Sequence, residues 1–182
     1  MSHRGKLLVA NPALPDPNFH RTVVLMLEHN DDGAVGVVLN RPSDTHVGEA
    51  LPALAEVASE PAVVHVGGPV APTAALCLAR MRQTDEAEGV AHLFGALGSI
   101  DLDQDLDLLV PSVEGVRVFA GYSGWAAGQL EGEIDAGAWF VVGMESDDPF
   151  SARSSQLWRD VLRRQPPSLA MLASFPEDVT TN

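Results

Sequence analysis

Ser123 has the surroundings of a nucleophile. It stands in Gly121–Tyr122–Ser123–Gly124–Trp125, directly after the expected strand Val116–Ala120, where hydrolases place a strained serine between strand and helix. That elbow needs glycine two residues after the serine so that backbone can pass close by, and here Trp125 fills the place. A base is also required. His20, His29, His46, His65 and His92 all precede the serine, and triads occur in several chain orders, so order excludes none of them. Without the second elbow glycine, the segment reads as a Gly-rich turn around a packed small residue.

The other motifs are weaker. Gly67–Gly68–Pro69–Val70–Ala71–Pro72 offers glycines, but its two prolines remove the N–H donors a phosphate cradle depends on and no lysine follows. It reads as a tight turn. Asp103, Asp105, Asp107 and Glu114 reproduce positions 1, 3, 5 and 12 of a calcium-binding loop. Leu108 replaces the turn glycine and Pro111 interrupts the run, so a solvated acidic segment opening a short helix is the better account. The histidines form no H-E-x-x-H pair, and no metal site is expected. Asp16, His20, Glu28 and His29 could meet only through the fold. Cys77, within AALCLA, reads as a small buried hydrophobe.

The elements that must position these groups are a mixture of α and β. Lys6–Ala10 is expected as a short strand. Thr22–Leu27 (TVVLML) suits a strand buried on both faces, and Ala34–Asn40 a second, paired as a hairpin across a longer loop, His29–Gly33. Arg41–Pro42 should end it. Helical spacing runs over Val47–Ala58, with Pro52 weakening its start. Val63–Val66, Ala74–Ala79, Val116–Ala120 and Trp139–Met144 read as strands, Leu106–Val113 as a short helix disturbed by Pro111, and Ala126–Ala136 as a helix. The last helix is expected to start at an Asp148 cap with Pro149 in its first turn and to stop before Pro166. It should bury Leu157, Trp158, Val161 and Leu162 and expose Arg153, Arg159, Arg163 and Arg164.

Composition bounds the function. With 182 residues, 46% apolar and 20% charged, the chain suits one domain, 1–182, with its own core. One cysteine excludes a disulfide framework and Cys-based zinc modules. No window approaches the ~18–20 apolar residues of a membrane span, and the opening MSHRGKLLVA lacks a signal-peptide core; the cytoplasm is the expected compartment. The net charge of −14 opposes direct nucleic-acid binding. Ten of those charges fall within residues 101–150, whereas residues 151–182 are slightly positive. One acidic face set against an arginine-bearing helix would suit a basic partner or a cationic ligand.

Three blocks stand out: GKLLVANPALPDPNFHRTVVLMLEHNDDGAVGVVLNRP from Gly5, GGPV from Gly67 and AGYSGWAAGQLEGEI from Ala120. Together they closely resemble the AlgH/YqgE-like bacterial proteins. The resemblance implies an α+β fold: a strongly curved, mainly antiparallel sheet forming a pseudo-barrel with flanking helices. It implies cytosolic proteins without an established activity, one of them named as a transcriptional regulator of alginate synthesis though it lacks a recognised DNA-binding module. The family pattern accepts alanine at the position of Ser123. Its signature maps onto Asn11, Pro12, Arg21, Glu28, His29, Asn40, Arg41, Gly67, Gly68, Pro69, Gly121, Tyr122, Gly124, Trp125, Gln129 and Glu131, which become the candidate binding residues. No catalytic residue and no cofactor carries over.

Two functions follow as expectations. The first is a non-enzymatic binding or regulatory protein acting through a protein partner or a small ligand, with no direct nucleic-acid or membrane contact. The alternative is a hydrolase-type enzyme with a polar pocket around Glu28, His29, Arg41 and Glu131. Their discriminator is geometric: one open pocket for the enzyme, or dispersal into internal hydrogen bonds for the binder.

Overall fold

A strand sends successive side chains to opposite faces, and in this chain both faces are apolar over long stretches. The computed structural model, which describes residues 1–82 and 88–177, shows what covers them. Its strands are β1 Leu7–Ala10, β2 Val23–Asn30, β3 Gly33–Val38, β4 Pro42–His46, β5 Val63–Val66, β6 Val70–Met81, β7 Val90–Phe94, β8 Leu97–Ile100, β9 Val113–Ala126 and β10 Trp139–Val142. They form one sheet in the order β10-β1-β2-β3-β9-β6-β8-β7, antiparallel along that path. β4 pairs with β5, and β5 runs parallel to β9. The helices are short: α1 Val47–Ala50, α2 Leu106–Leu109, α3 Gln129–Asp135, α4 Leu157–Arg163 and α5 Pro167–Ala170. None among the described residues is long and apolar enough to cross a membrane.

The curvature can be read from the packing. Leu7 and Val9 of β1, Leu25 of β2, Val37 of β3, Phe119 of β9, Leu78 of β6, Leu97 of β8 and Val142 of β10 all enter a single core with Leu157, Trp158, Val161 and Leu162 of α4. One helix can touch strands from both ends of a wide sheet only if the sheet curls around it. The alternate residues Leu8, Val24, Met26 and Val38 face outward, where Trp125, Leu130 of α3 and Trp139 cover them. A second outer core joins Cys77, Ala79 and Met81 of β6 to Val47, Leu54 and Leu109. The result is the expected α+β fold, a half-barrel plugged by α4 and flanked by short helices.

Several local expectations are corrected. β2 continues through Asn30 past a bulge after Met26, leaving only Asp31 and Asp32 as a two-residue turn in place of a longer loop. β3 stops at Val38, ahead of Arg41–Pro42 as expected, but Pro42 then opens a strand that was not expected, β4, whose edge position tolerates the missing N–H. Over 47–58 only Val47–Ala50 is α-helical, and Pro52 starts a separate 3-10 turn. Gly121–Trp125 is not a turn but part of the fourteen-residue β9. Asp148 caps no long helix. It lies in a 3-10 turn, Asp148–Phe150, and α4 begins only at Leu157.

Candidate functional site

The signature side chains act mainly on the chain's own backbone. Asn11 donates to the Gly137 carbonyl (3.0 Å) and accepts the Ala13 N–H, which holds the loop carrying Pro12 against the start of β10. Arg21 has a left-handed φ of 53°, which non-glycine residues rarely adopt. Asn40 stitches across it, donating to the Arg21 carbonyl at 2.8 Å and accepting from Val23 N at 2.9 Å. The Arg21 guanidinium lies 4.5 Å from the Trp158 ring centroid and donates to the carbonyls of Phe175 and Pro176. Arg41 donates to the carbonyls of Pro17, Asn18 and His20. These four residues pin the 11–21 loop to the half-barrel.

The glycine blocks make a second lock. Gly67 and Gly68 lie against Gly121 and Tyr122 so closely that a Cβ on Gly68 (φ 152°) would overlap the Tyr122 carbonyl, and one on Gly121 (φ 72°) would come 2.5 Å from the Gly68 carbonyl. Absence of a side chain permits this backbone contact. Pro69 leads out of it into β6. Ser123 is fully buried and donates to the Gly67 carbonyl at 3.1 Å. Its hydroxyl is part of the lock and has no histidine partner among the described residues. Gly124 is exposed on β9 and Tyr122 half-buried.

The third cluster docks α3. The side chain of His29, 3% exposed, holds Glu131 Oε1 at 2.6 Å through Nε2, while its Nδ1 accepts the His3 N–H at 3.0 Å. That acceptor role fixes the ring proton on Nε2, so Nε2 donates and neither nitrogen is left for a substrate. The Glu131 backbone N–H, then the His29 ring, hold the Glu131 carboxyl below the ordinary range. Trp125 Nε1 donates to Glu133 at 2.6 Å, and Gln129 accepts the Ala126 N–H at 3.0 Å. Glu28, one residue before His29, points to the opposite face and is 62% exposed beside Arg4. His29 and Glu131 are thus brought together, and Glu28 and Arg41 are not brought to them. Asp16 and His20 serve their own loop.

Other buried polar groups lie outside the signature. His65, fully buried, donates from Nδ1 to the Val63 carbonyl (3.0 Å), and its Nε2 accepts from Ser154 Oγ at 2.9 Å. The dyad has the order of a serine nucleophile and its base, but Ser154 is 1% exposed, and the contact fastens the chain leading into α4 to β5. Burial, and then the Arg117 charge, push His65 down to about 4, so it stays neutral. Arg117, 1% exposed, donates to the carbonyls of Ser59, Glu60, Pro149 and Ser151; burial draws it down to about 10. Burial raises the Cys77 thiol to about 12, which leaves it unreactive. The aspartate run caps its own turns, Asp105 accepting the Asp107 N–H at the start of α2.

Open space lies elsewhere. A cleft of 510 Å³ is lined by Ser59, Arg80, Glu114, Asp147, Arg153 and Asp160. A smaller notch of 240 Å³ adjoins it, and the two share Arg80 and Phe150. A 420 Å³ groove runs between α1, β5 and the start of β6. None of these cavities is lined by a signature residue.

The AlgH-like family model matches residues 7–170. The chain belongs to the AlgH-like family. A UPF0301 protein of Mycobacteroides abscessus is 48% identical over 181 residues, covering 98% of this chain and 87% of the relative. One from Streptomyces coelicolor is 48% identical over 182 residues, covering 98% and 94%. The crystal structure of a Corynebacterium diphtheriae protein superposes with a TM-score of 0.89 at 32% identity, over 96% of this chain and 93% of that one. The solution structure of AlgH from Pseudomonas aeruginosa gives 0.69 at 28% identity, over 96% and 94%. The half-barrel is therefore the AlgH-like fold, and the blocks that carried the resemblance are the ones that lock its loops.

Proposed function

We propose that this AlgH-like chain is a non-enzymatic binding protein of the cytoplasm, regulatory in effect, that engages a partner protein or a small ligand without contacting DNA directly. One observation carries the reading: most of the signature polar groups are engaged with backbone or with neighbouring side chains, and none lines any of the cavities described above. A hydrolase would need a base with a free nitrogen or carboxylate beside an open cleft. His29 has both nitrogens occupied, and Arg41 is held by three carbonyls. The net charge of −14 disfavours the phosphate backbone as a partner.

The test joins a thermal-shift screen against nucleotides, metal ions, sugar phosphates and small carboxylates to hydrolysis assays on ester, amide and phosphoester substrates. A ligand that raises Tm without turnover is the expected result. Turnover abolished by His29→Gln or Glu131→Gln would establish the hydrolase instead. Sequence-specific DNA binding at physiological salt would overturn the exclusion of nucleic acid.

A further inference from the structure

The 240 Å³ notch is lined by Phe94, Leu97, Met144, Pro149 and Phe150, with Arg80 the one charged residue in its wall. Arg80 follows Leu76 and Leu78 at the strand period of two, so its stem continues the inner-core face and its head emerges where that core ends. Stacking holds the head in place, with the guanidinium carbon 5.0 Å from the Phe150 centroid. Nη2 donates to the Ser146 carbonyl (2.9 Å) and to Asp147 Oδ1 (2.7 Å). Among the described residues, its Nε and Nη1 donate to nothing. Asp147, the carboxylate now on Arg80, is 85% exposed, and such a pair is easily exchanged because water screens it.

We propose that this notch is a binding site for a small apolar carboxylate, whose anionic head replaces Asp147 on the Arg80 guanidinium while its hydrocarbon or aryl tail fills the space among Phe94, Leu97, Met144 and Pro149. The occupant's chemistry follows from the wall: an apolar cavity with a single planar cation fits an apolar body with one anionic end. Its size follows from the volume, which lies below the roughly 300–1,000 Å³ of drug-sized sites. A cationic ligand would meet Arg80 as a like charge, and a neutral alcohol would leave the guanidinium without its counter-ion. The inference rests on the reading of the chain as a non-enzymatic binder and names the ligand class for its small-ligand form.

The experiment titrates the full chain calorimetrically with 3-phenylpropionate, using 3-phenylpropanol and 3-phenylpropylamine as matched neutral and cationic probes. Saturable binding of the carboxylate is expected, with the alcohol and the amine weaker by about tenfold or more. Arg80→Gln should weaken the carboxylate by a similar factor, and Met144→Trp should block the notch while Arg80 stays in place. Asp147→Asn removes the competing carboxylate and should tighten binding about threefold, a gain that impaired folding cannot imitate. Failure of the carboxylate to saturate the wild-type chain, equal binding of the alcohol, or indifference to Arg80→Gln would each overturn the site. Those results would leave the binding reading standing, because that reading falls to turnover in the hydrolysis assays.

Discussion

Two regions of the half-barrel use polar side chains in opposite ways. On the signature side, Asn11, Asn40, Arg41 and His29 are engaged by neighbouring backbone or by Glu131, and Arg21 stacks on Trp158 while its Nη2 donates to two carbonyls. At the rim of the inner core, Arg80 keeps two donor nitrogens unengaged among the described residues, beside open cavities, and its carboxylate partner is exposed. Buried polar groups must be satisfied, so a sequence dense in unusual polar residues can describe a scaffold as readily as a site. Disturbing the first region should therefore cost folding stability and leave binding intact, whereas the second should respond in reverse.

The largest expected effect is in the glycine lock. Gly68→Ala would drive a Cβ into the Tyr122 carbonyl at a φ of 152°, and backbone cannot yield as a side-chain tip does. A loss above about 4 kcal/mol, or failure to accumulate folded protein, is expected by chemical denaturation. A stable Gly68→Ala variant that lost only a ligand would move the signature into a site and break the comparison.

His65 is next. Its ring stays neutral in the fold down to about 4, whereas in the unfolded chain it takes a proton near 6.5. Between those values the unfolded chain binds more protons, so stability present above pH 6.5 is lost as the pH falls toward 4. The loss is on the order of 3 kcal/mol. Denaturation midpoints across that window should show the slope in the wild type and a flatter profile in His65→Gln. Glu131 titrates from a lowered carboxylate value, so its contribution is intact over most of that window and is lost from its acid end downward, as the pH falls from the ordinary carboxylate range through the lowered one.

How much of this was legible follows the same division. The TVVLML run announced a strand buried on both faces, and Val23–Leu27 is that strand. Leu157, Trp158, Val161 and Leu162 announced one face of the last helix, and all four are buried. Periodicity survives into structure because burial enforces it. The helix over 47–58 failed because Pro52, read as only weakening its start, removes a donor the helix needs and opens a separate 3-10 turn. The GYSGW turn failed because local glycine content says nothing of Gly67 and Gly68 packing from across the sheet. The candidate residues were legible as a set, yet their partners were mostly carbonyls distant in sequence. Arg80, His65 and Ser154 carry no motif at all; the notch exists only because β6, β8 and the segment after β10 meet there.

Smaller effects sharpen the contrast. Ser123→Ala removes a buried hydrogen bond from a Gly67 carbonyl that still accepts the Val38 N–H, so the expected loss is about 1 kcal/mol with ligand affinity unchanged. Arg80→Gln should cost less. Its ion pair faces an exposed Asp147 and its stacking on Phe150 is partly solvated, so unfolding free energy should fall by less than about 1 kcal/mol. The stem is largely retained in glutamine, and the inner core beneath it is undisturbed. Measured together, the two variants separate the regions: near-equal small losses of stability, with carboxylate binding weakened only by Arg80→Gln. If Ser123→Ala weakened that binding as well, the glycine lock and the notch would be coupled through β9, and the division between scaffold and site would have to be redrawn along that strand.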